Sequence, residues 1–146
     1  MLFDNRVLFA ALIPWFLAQA VKVPIEYIRS KEWDWSLLFT PGGMPSSHTA
    51  LVTGGSLAIG LYEGFDSTLF AVSIIICMVV IYDAAGIRRQ AGEHAKIINA
   101  MINDLAAGHP LREEQLREVL GHTPGEILGG LLLGLLAALL IWLFWR

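Results

Sequence analysis

The stretch Ile127–Trp145 carries no charged residue, and it constrains the fold more than any other part of the chain. As a helix it is about long enough to cross the roughly 30 Å hydrocarbon core of a bilayer. Gly130 and Gly134 within it have the GxxxG spacing that lets membrane helices approach closely. Trp142 and Trp145 near its end are typical of an interfacial anchor. The sequence therefore predicts a transmembrane helix here.

The composition favours a membrane protein over a soluble globule. Of the 146 residues, 55% are hydrophobic and 16% are charged, and the mean hydropathy is +0.60. Soluble domains carry about 25% charged residues, so this chain has little charge with which to cover a water-facing surface. The net charge of −3 gives no reason to expect nucleic-acid binding. Cys77 is the only cysteine, which excludes an intrachain disulfide and a multi-cysteine metal site.

Three further apolar segments predict membrane helices, which gives four in an all-α integral membrane protein. They are Val7–Val21 with an amphipathic continuation to Tyr27, His48–Tyr62, and Ser67–Tyr82. A short link joins the second and third, so we expect an antiparallel hairpin. Both are shorter than the ~20 residues that span a bilayer comfortably, so buried polar turns or a neighbouring subunit would have to shield their ends. We treat residues 1–146 as a single membrane-embedded domain.

The first segment also has one feature of a secretory signal, because Ala18-Gln19-Ala20 has the pattern of a cleavage site. Two features argue against cleavage. Arg6 in the preceding region is balanced by Asp4, and Pro14 lies where a plain Leu/Ala core is expected. We therefore predict an uncleaved membrane helix.

One or two amphipathic helices are predicted between the third and fourth membrane helices. Apolar residues from Gln90 to Ala107 recur at helical spacing with a polar opposite face, which indicates a surface or interfacial helix. The run Gly108-His109-Pro110 interrupts this pattern, and Leu111–Leu120 repeats it.

Three polar clusters lie at the predicted helix ends, on one side of the membrane if four helices alternate. Polar groups at membrane depth are costly, so they suggest function. The first cluster is Lys22 and Arg29, whose separation of nearly two helical turns puts both on about the same face. The alternative is that both side chains only reach from a helix end towards water.

The second cluster is the run Gly42-Gly43-Met44-Pro45-Ser46-Ser47-His48-Thr49. Backbone N–H groups at a helix start favour an anion, serine hydroxyls add donors, and His48 can give a proton. The alternative is that Ser46 only caps the helix and that His48 is solvated.

The third cluster, Gly121–Glu126, opens the last helix. Thr123 and Glu126 have the spacing of a capping box, with Pro124 at the first helical position. That box does not explain His122, which a carboxylate four residues later can touch and hold in one tautomer.

Arg88 and Arg89 follow Asp83 near the end of the third helix. They are either an interfacial basic pair beside Asp83 or two guanidinium groups suited to phosphate oxygens. Two histidines at helix starts, a carboxylate and several cations form a set suited to phosphoryl transfer through a histidine nucleophile. No acidic cluster for a magnesium pair is present, so we expect a route without a metal or cofactor.

Three blocks of the sequence resemble the signature of the type-2 phosphatidic acid phosphatase superfamily, which includes vanadium haloperoxidases and bacterial acid phosphatases. The blocks are Lys22-x6-Arg29, Pro45-Ser46-Ser47-His48 and His122-x3-Glu126. The strings GGMPSSH, YDAAGIRRQAG and LGHTPGEILGG resemble more closely its divergent, small membrane branch. The resemblance covers Lys22 to about Gly134.

The resemblance implies a role for each matching residue. His122 matches the nucleophile that forms a phosphohistidine, Glu126 the acid that orients it, and His48 the general acid that protonates the leaving oxygen. The implied phosphate ligands are Lys22, Arg29, Ser46, the backbone N–H of Ser47, and Arg88 or Arg89.

The chain departs from the superfamily pattern at several of these positions. Glu126 stands where the wider superfamily has Asp, Ser47 where it has Gly, and Ser30 where it has Pro. The arginine expected six residues before the nucleophile is Leu116, and Arg117 is one residue away. The third block is thus split by the Gln90–Leu120 insertion, and the branch pattern points to Arg88 or Arg89 instead.

Together these features predict a metal-independent phosphatase acting on a lipid phosphate or diphosphate, such as phosphatidylglycerophosphate, phosphatidic acid or an isoprenoid diphosphate. One alternative is a non-catalytic protein that binds or moves such lipids, and another is vanadate-dependent oxidation. The expected partners are the substrate and membrane lipids, with no nucleic acid. Glycine-lined faces and short spans suggest a homodimer.

The distribution of basic residues predicts the orientation in the inner or plasma membrane. With four helices, the Arg29–Ser47 loop and the Asp83–Gly125 segment share one side, which carries most of the Lys and Arg residues. The positive-inside rule places that side in the cytoplasm, and the active site with it.

Overall fold

The computed structural model describes residues 4–39, 43–85, 92, 94–99, 101–102 and 123–145. The helices are α1 (Arg6–Ser30), α2 (Ser47–Glu63), α3 (Thr68–Ala85), α4 (of which residues 92, 94–99 and 101–102 are described) and α5 (Pro124–Phe144). A 3-10 helix, which the sequence did not predict, covers Trp35–Leu38. The prediction of an all-α fold is confirmed for these residues. Of the predicted amphipathic helices, α4 falls in the first, and residues 111–120 lie outside the described part.

Helix α1 runs one turn further than its apolar pattern predicted. The pattern ended at Tyr27, whereas the helix ends at Ser30. Lys31 stops it by adopting a left-handed conformation with φ 64°, and its N–H donates to the Tyr27 carbonyl oxygen at 2.9 Å. Arg29 is therefore part of α1, on the same rigid element as Lys22.

Helix α2 lies at the centre of the bundle and contacts α1, α3 and α5. The core beside it consists of small side chains, because Ala10, Ala58 and Ala138 of α1, α2 and α5 are fully buried. Membrane helices associate through close van der Waals packing, since lipid tails provide no hydrophobic driving force between them. Small residues at the contact make that packing possible.

The helices run so that the three polar clusters meet at one end. Arg6 lies over the Tyr62 ring at 5.5 Å, and the Tyr62 hydroxyl donates to the Trp145 carbonyl oxygen at 3.3 Å. The start of α1 is thus beside the ends of α2 and α5. Helix α3 pairs with α2, because the Ser56 hydroxyl donates to the Ser73 carbonyl oxygen at 3.1 Å. This confirms the predicted α2–α3 hairpin.

The contact between α2 and α5 requires glycine at two positions of α5. A Cβ at Gly130 would collide with the Ser46 carbonyl oxygen, and one at Gly134 would collide with the Thr53 hydroxyl. The GxxxG motif is therefore used inside the chain. The homodimer stays a prediction, and these two glycines no longer support it.

Among the described residues, two helices are long and apolar enough to cross a membrane, which confirms only part of the prediction of four. They are α1 and α5, with mean hydropathies of 1.7 and 2.6. Helix α2 has 17 residues, so it rises about 25 Å, which is less than the thickness of a bilayer core. Four helices are present at the predicted places, but four membrane spans are not confirmed.

We expect Gly130→Ala to lower the free energy of unfolding by about 1–3 kcal/mol, because the added methyl group forces α5 away from the α2 backbone. Gly125→Ala is the matched control, since a Cβ there would have the Thr123 hydroxyl 4.0 Å away as its nearest neighbour. Thermal unfolding in detergent, followed by circular dichroism, measures both. Equal melting temperatures for the two variants would contradict this account of the contact.

Candidate active site

A cavity of about 290 Å³ lies at the polar end of the bundle. Its charged lining from α1 is Lys22, Glu26 and Arg29, which follow one another at helical spacing and so form a stripe along the helix. The other described residues of the lining are Ile25, Leu37, Gly43, Met44, Thr123 and Glu126. Lys22 and Arg29 share a face, as their spacing predicts. The cavity brings residues of all three polar clusters together.

Lys22 is buried, with 2% of its surface exposed. Its ammonium group donates to the side-chain oxygen of Gln19, and Gln19 in turn donates to the Leu38 carbonyl oxygen at 3.1 Å. The Glu126 carboxylate adds electrostatic attraction. A buried charge is tolerated only when it is paired and hydrogen-bonded, so these contacts are what hold a cation in the cavity wall.

Gly43 allows the turn before α2 to pass close to Lys22. Its φ is +79°, in the left-handed region that favours glycine. A Cβ at this position would lie 3.7 Å from Cδ of Lys22, in ordinary contact. The need for glycine here is therefore conformational, and the turn covers the lysine stem.

Ser46 is the N-cap of α2 and is fully buried. Its hydroxyl oxygen accepts hydrogen bonds from the backbone N–H of Thr49 at 3.3 Å and from the Thr49 hydroxyl at 3.0 Å. The structure thus shows that Ser46 caps α2, and its role as a phosphate ligand stays a prediction. A serine hydroxyl has two acceptor sites and one O–H donor. Both acceptor sites of Ser46 are used by Thr49, so Ser46 could contact a phosphate only by donating its O–H.

The two residues after the cap begin α2. Ser47 is buried, whereas His48 is partly exposed and its Nδ1 atom is buried. One ring nitrogen of the histidine is thus inside the protein at a helix N-terminus. The role of Ser47 as a phosphate ligand and of His48 as a general acid stay predictions.

The predicted capping box at the start of α5 is confirmed. The backbone N–H of Glu126 donates to the Thr123 hydroxyl at 3.3 Å, and the Glu126 carboxylate accepts from the Thr123 N–H at 3.2 Å. Pro124 occupies the first helical position. The carbonyl oxygen of Glu126 also accepts from the Ser46 N–H at 2.9 Å, which joins the starts of α2 and α5.

Arg29 and Glu26 also line the cavity, but unlike Lys22 and Glu126 their charged groups have no partner among the described residues. Neither the Arg29 guanidinium nor the Glu26 carboxylate makes a hydrogen bond or ion pair in the part of the chain that the structure describes. The role of Arg29 as a phosphate ligand stays a prediction. Among the described residues, no group of three or more His, Cys, Asp or Glu could hold a metal ion.

Exposed aromatic rings from the end of α1 and from the segment that follows it stack on one another. Ring centroids are 4.4 Å apart for Tyr27 and Trp33 and 5.6 Å apart for Trp33 and Trp35. Trp33 and Trp35 keep more than half of their surface exposed, at 55% and 63%. We call Tyr27, Trp33 and Trp35 the aromatic stack. Leu37, from the same segment, lines the cavity, so the stack is close to it.

Several sequence-predicted site residues lie outside the described part of the chain. They are His122, Arg88 and Arg89, together with the alternative Arg117 and the turn residue Gly42. Of the described ones, Lys22, Arg29 and Glu126 line the cavity, whereas Ser46, Ser47 and His48 form the start of α2.

Sequence reasoning missed two polar residues of the site. Glu26 could have been found, because it is one helical turn from both Lys22 and Arg29. Gln19 has the same signal, three residues before Lys22, but its bond to the Leu38 carbonyl oxygen depends on a tertiary contact. The contribution of Leu37 has no signal in the sequence.

Comparison with known proteins agrees with the resemblance. The family model described as "Divergent PAP2 family" matches residues 3–137. The chain is 41% identical over 151 aligned positions to the "Uncharacterized membrane protein YuiD" of Bacillus subtilis (strain 168), and the alignment covers 96% of each protein. No solved structure matches. The chain belongs to the divergent PAP2 family.

Proposed function

We propose that this protein is a membrane-embedded phosphatase that hydrolyses a lipid phosphate or lipid diphosphate through a phosphohistidine on His122, without a metal. The observation that carries the proposal is the cavity at the polar end. There Lys22 and Arg29 of α1 face the Thr123–Glu126 start of α5, and a backbone hydrogen bond joins that start to α2. Residues of two signature blocks thus line one small cavity, and the Ser46 N–H joins the remaining block to it.

The proposed reaction has two steps. A ring nitrogen of His122 attacks phosphorus, a P–N bond forms, and the P–O bond to the lipid breaks while His48 protonates the leaving oxygen. Water then attacks phosphorus, the P–N bond breaks, inorganic phosphate leaves, and His48 takes the water proton. Lys22, Arg29 and an arginine from Arg88 or Arg89 would stabilise the charge on the equatorial oxygens.

The proposal includes four membrane helices, with the cavity at the level of the lipid head groups. Ile75 and Val79 of α3 are mostly exposed apolar residues, as a face towards lipid requires. The aromatic stack beside the cavity has the composition of a membrane–water interface. The short helix α2 begins at Ser47, which is buried, so protein shields that helix end from lipid.

A second candidate is a non-catalytic protein that binds or moves a lipid phosphate. Two observations favour it. The third signature block is split, with Leu116 at the arginine position, and the Glu126 carboxylate is used in the capping box. The same cavity would then hold a head group without chemistry.

The first prediction from the proposal concerns His122. We expect the wild-type chain in detergent, with a chelator present, to release phosphate from at least one of phosphatidylglycerophosphate, phosphatidic acid and an isoprenoid diphosphate. His122→Ala should abolish release, because no covalent intermediate can form. His94→Ala is the matched control, since His94 is an exposed residue of α4 that does not line the cavity.

Each outcome of this lipid panel has a clear consequence. No release from any lipid by the wild type would reject the phosphatase. Lipid binding without a phosphorylated histidine would favour the non-catalytic candidate.

A second prediction separates the two uses of Glu126. Glu126→Gln keeps a residue that can complete a capping box but removes the charge beside Lys22, whereas Glu126→Ala removes both. We expect Glu126→Ala to cost about 1 kcal/mol of stability. Glu126→Gln should keep the melting temperature and lose turnover, although less than His122→Ala does. Full turnover in Glu126→Gln would show that the charge of Glu126 is not needed for the reaction and that the residue only caps α5.

A third prediction tests the cytoplasmic orientation. On a Cys77→Ser background, single cysteines replace Glu32 and Glu63, two exposed carboxylates at opposite ends of the bundle. We expect an impermeant maleimide to label Glu63→Cys in intact cells, and Glu32→Cys only after permeabilisation. The reverse pattern would place the active site outside.

A further inference from the structure

We propose that Glu26 recognises the alcohol part of the substrate by accepting a hydrogen bond from a hydroxyl group close to the phosphate. The site would then prefer the phosphate monoester of a hydroxyl-bearing head group over one without hydroxyls. This inference rests on the proposed function for the identity of the ligand. It assigns a role to a residue outside the signature blocks.

The position of Glu26 suggests this role. It lies between Lys22 and Arg29 on the cavity-facing stripe of α1 and is half-buried. Side chains three residues apart on a helix have Cβ atoms about 5–6 Å from each other. One small head group can therefore contact the Arg29 guanidinium through its phosphate and the Glu26 carboxylate through a neighbouring hydroxyl.

Among the described residues, the other contacts of the cavity do not involve the Glu26 carboxylate. Glu126 completes the capping box, and the Lys22 ammonium donates to Gln19. An ion pair between Glu26 and Arg29, which their spacing would permit, is not formed in the described part of the chain. A bare carboxylate repels a phosphate nearby, so its presence in an anion site is favourable only if the ligand brings a donor to it.

The size of the cavity limits what it can hold. Its volume of about 290 Å³ is just below the roughly 300–1,000 Å³ that is typical of ligand pockets. A head group fits in this space, but acyl or prenyl chains do not. Selectivity at Glu26 would therefore act on the groups next to the phosphate, while the chain leaves past the apolar lining of Ile25, Leu37 and Met44.

The test uses two soluble probes, sn-glycerol 3-phosphate and n-propyl phosphate, which share a three-carbon chain and differ in their hydroxyls. Their binding to the full chain in nanodiscs is measured by ligand-observed ³¹P NMR, and their inhibition of lipid hydrolysis is measured in parallel. We expect the wild type to bind glycerol 3-phosphate about tenfold more tightly, as a hydrogen bond to a charged acceptor allows. Glu26→Met should reduce this ratio to about twofold or less.

Two further variants make the result specific. Glu32→Met makes the same change at an exposed position outside the cavity and should keep the wild-type ratio. Glu26→Gln keeps the size and an acceptor oxygen but loses the charge, so its ratio should be intermediate, about threefold. Glu26→Gln also tests the proposal if Glu26→Met does not fold.

The outcomes separate this inference from the proposed function. An equal ratio in the wild type and both Glu26 variants, or no binding of either probe, would overturn the role of Glu26. If no lipid is hydrolysed, the proposed phosphatase activity is rejected. The ratio of the two probe affinities, measured by NMR, still decides whether Glu26 binds a hydroxyl group. Equal weakening of both probes would also overturn it, because Glu26 would then only support the fold.

Discussion

The backbone contact between α2 and α5 is the constraint on which the rest of the site depends. The Ser46 N–H donates to the Glu126 carbonyl oxygen at 2.9 Å. At Gly130 of α5, a Cβ would collide with the Ser46 carbonyl oxygen, so the helices can approach this closely only with glycine there. Two helix N-termini are thereby held together at one end of the bundle. Each of the two helix starts carries its own cap, Ser46 for α2 and Thr123 for α5. The packing thus brings two helix starts to one place, where the sequence predicts an anion.

The burial of Lys22 is the second constraint, and it connects α1 to that pair of helix starts. A charged group at this depth must keep its partners, which here come from Gln19 on the same helix and from Glu126 on α5. Gln19 also bonds to the 3-10 helix, through the Leu38 carbonyl oxygen. The position of the lysine is thus determined by three elements, and a shift of any one would leave a buried charge poorly paired.

The sequence predicted the local features of this arrangement better than its contacts. Helix starts were readable from caps, so the box at Thr123 and Glu126 was found in advance. The GxxxG spacing showed that a close helix–helix contact would form at Gly130. The same glycine face could pack against another helix of the same chain or against a helix of a second copy. The sequence could not decide between them. The length of α2 could also be predicted from its apolar residues. The shielding of its first turn could not, because it depends on a tertiary contact with α5. The 3-10 helix is too short to have a periodicity.

The charges of the cavity show why the split third block matters. Lys22 and Arg29 are balanced by Glu26 and Glu126, so the described lining is close to neutral. A phosphate dianion in this site would leave two negative charges uncompensated. A protonated His48 can supply one positive charge, and either Arg88 or Arg89, for which the resemblance implies phosphate contact, can supply the other. A phosphatase with this cavity therefore needs an arginine from outside the third signature block. The insertion Gln90–Leu120 is compatible with activity only if that arginine precedes it in the sequence, as Arg88 and Arg89 do.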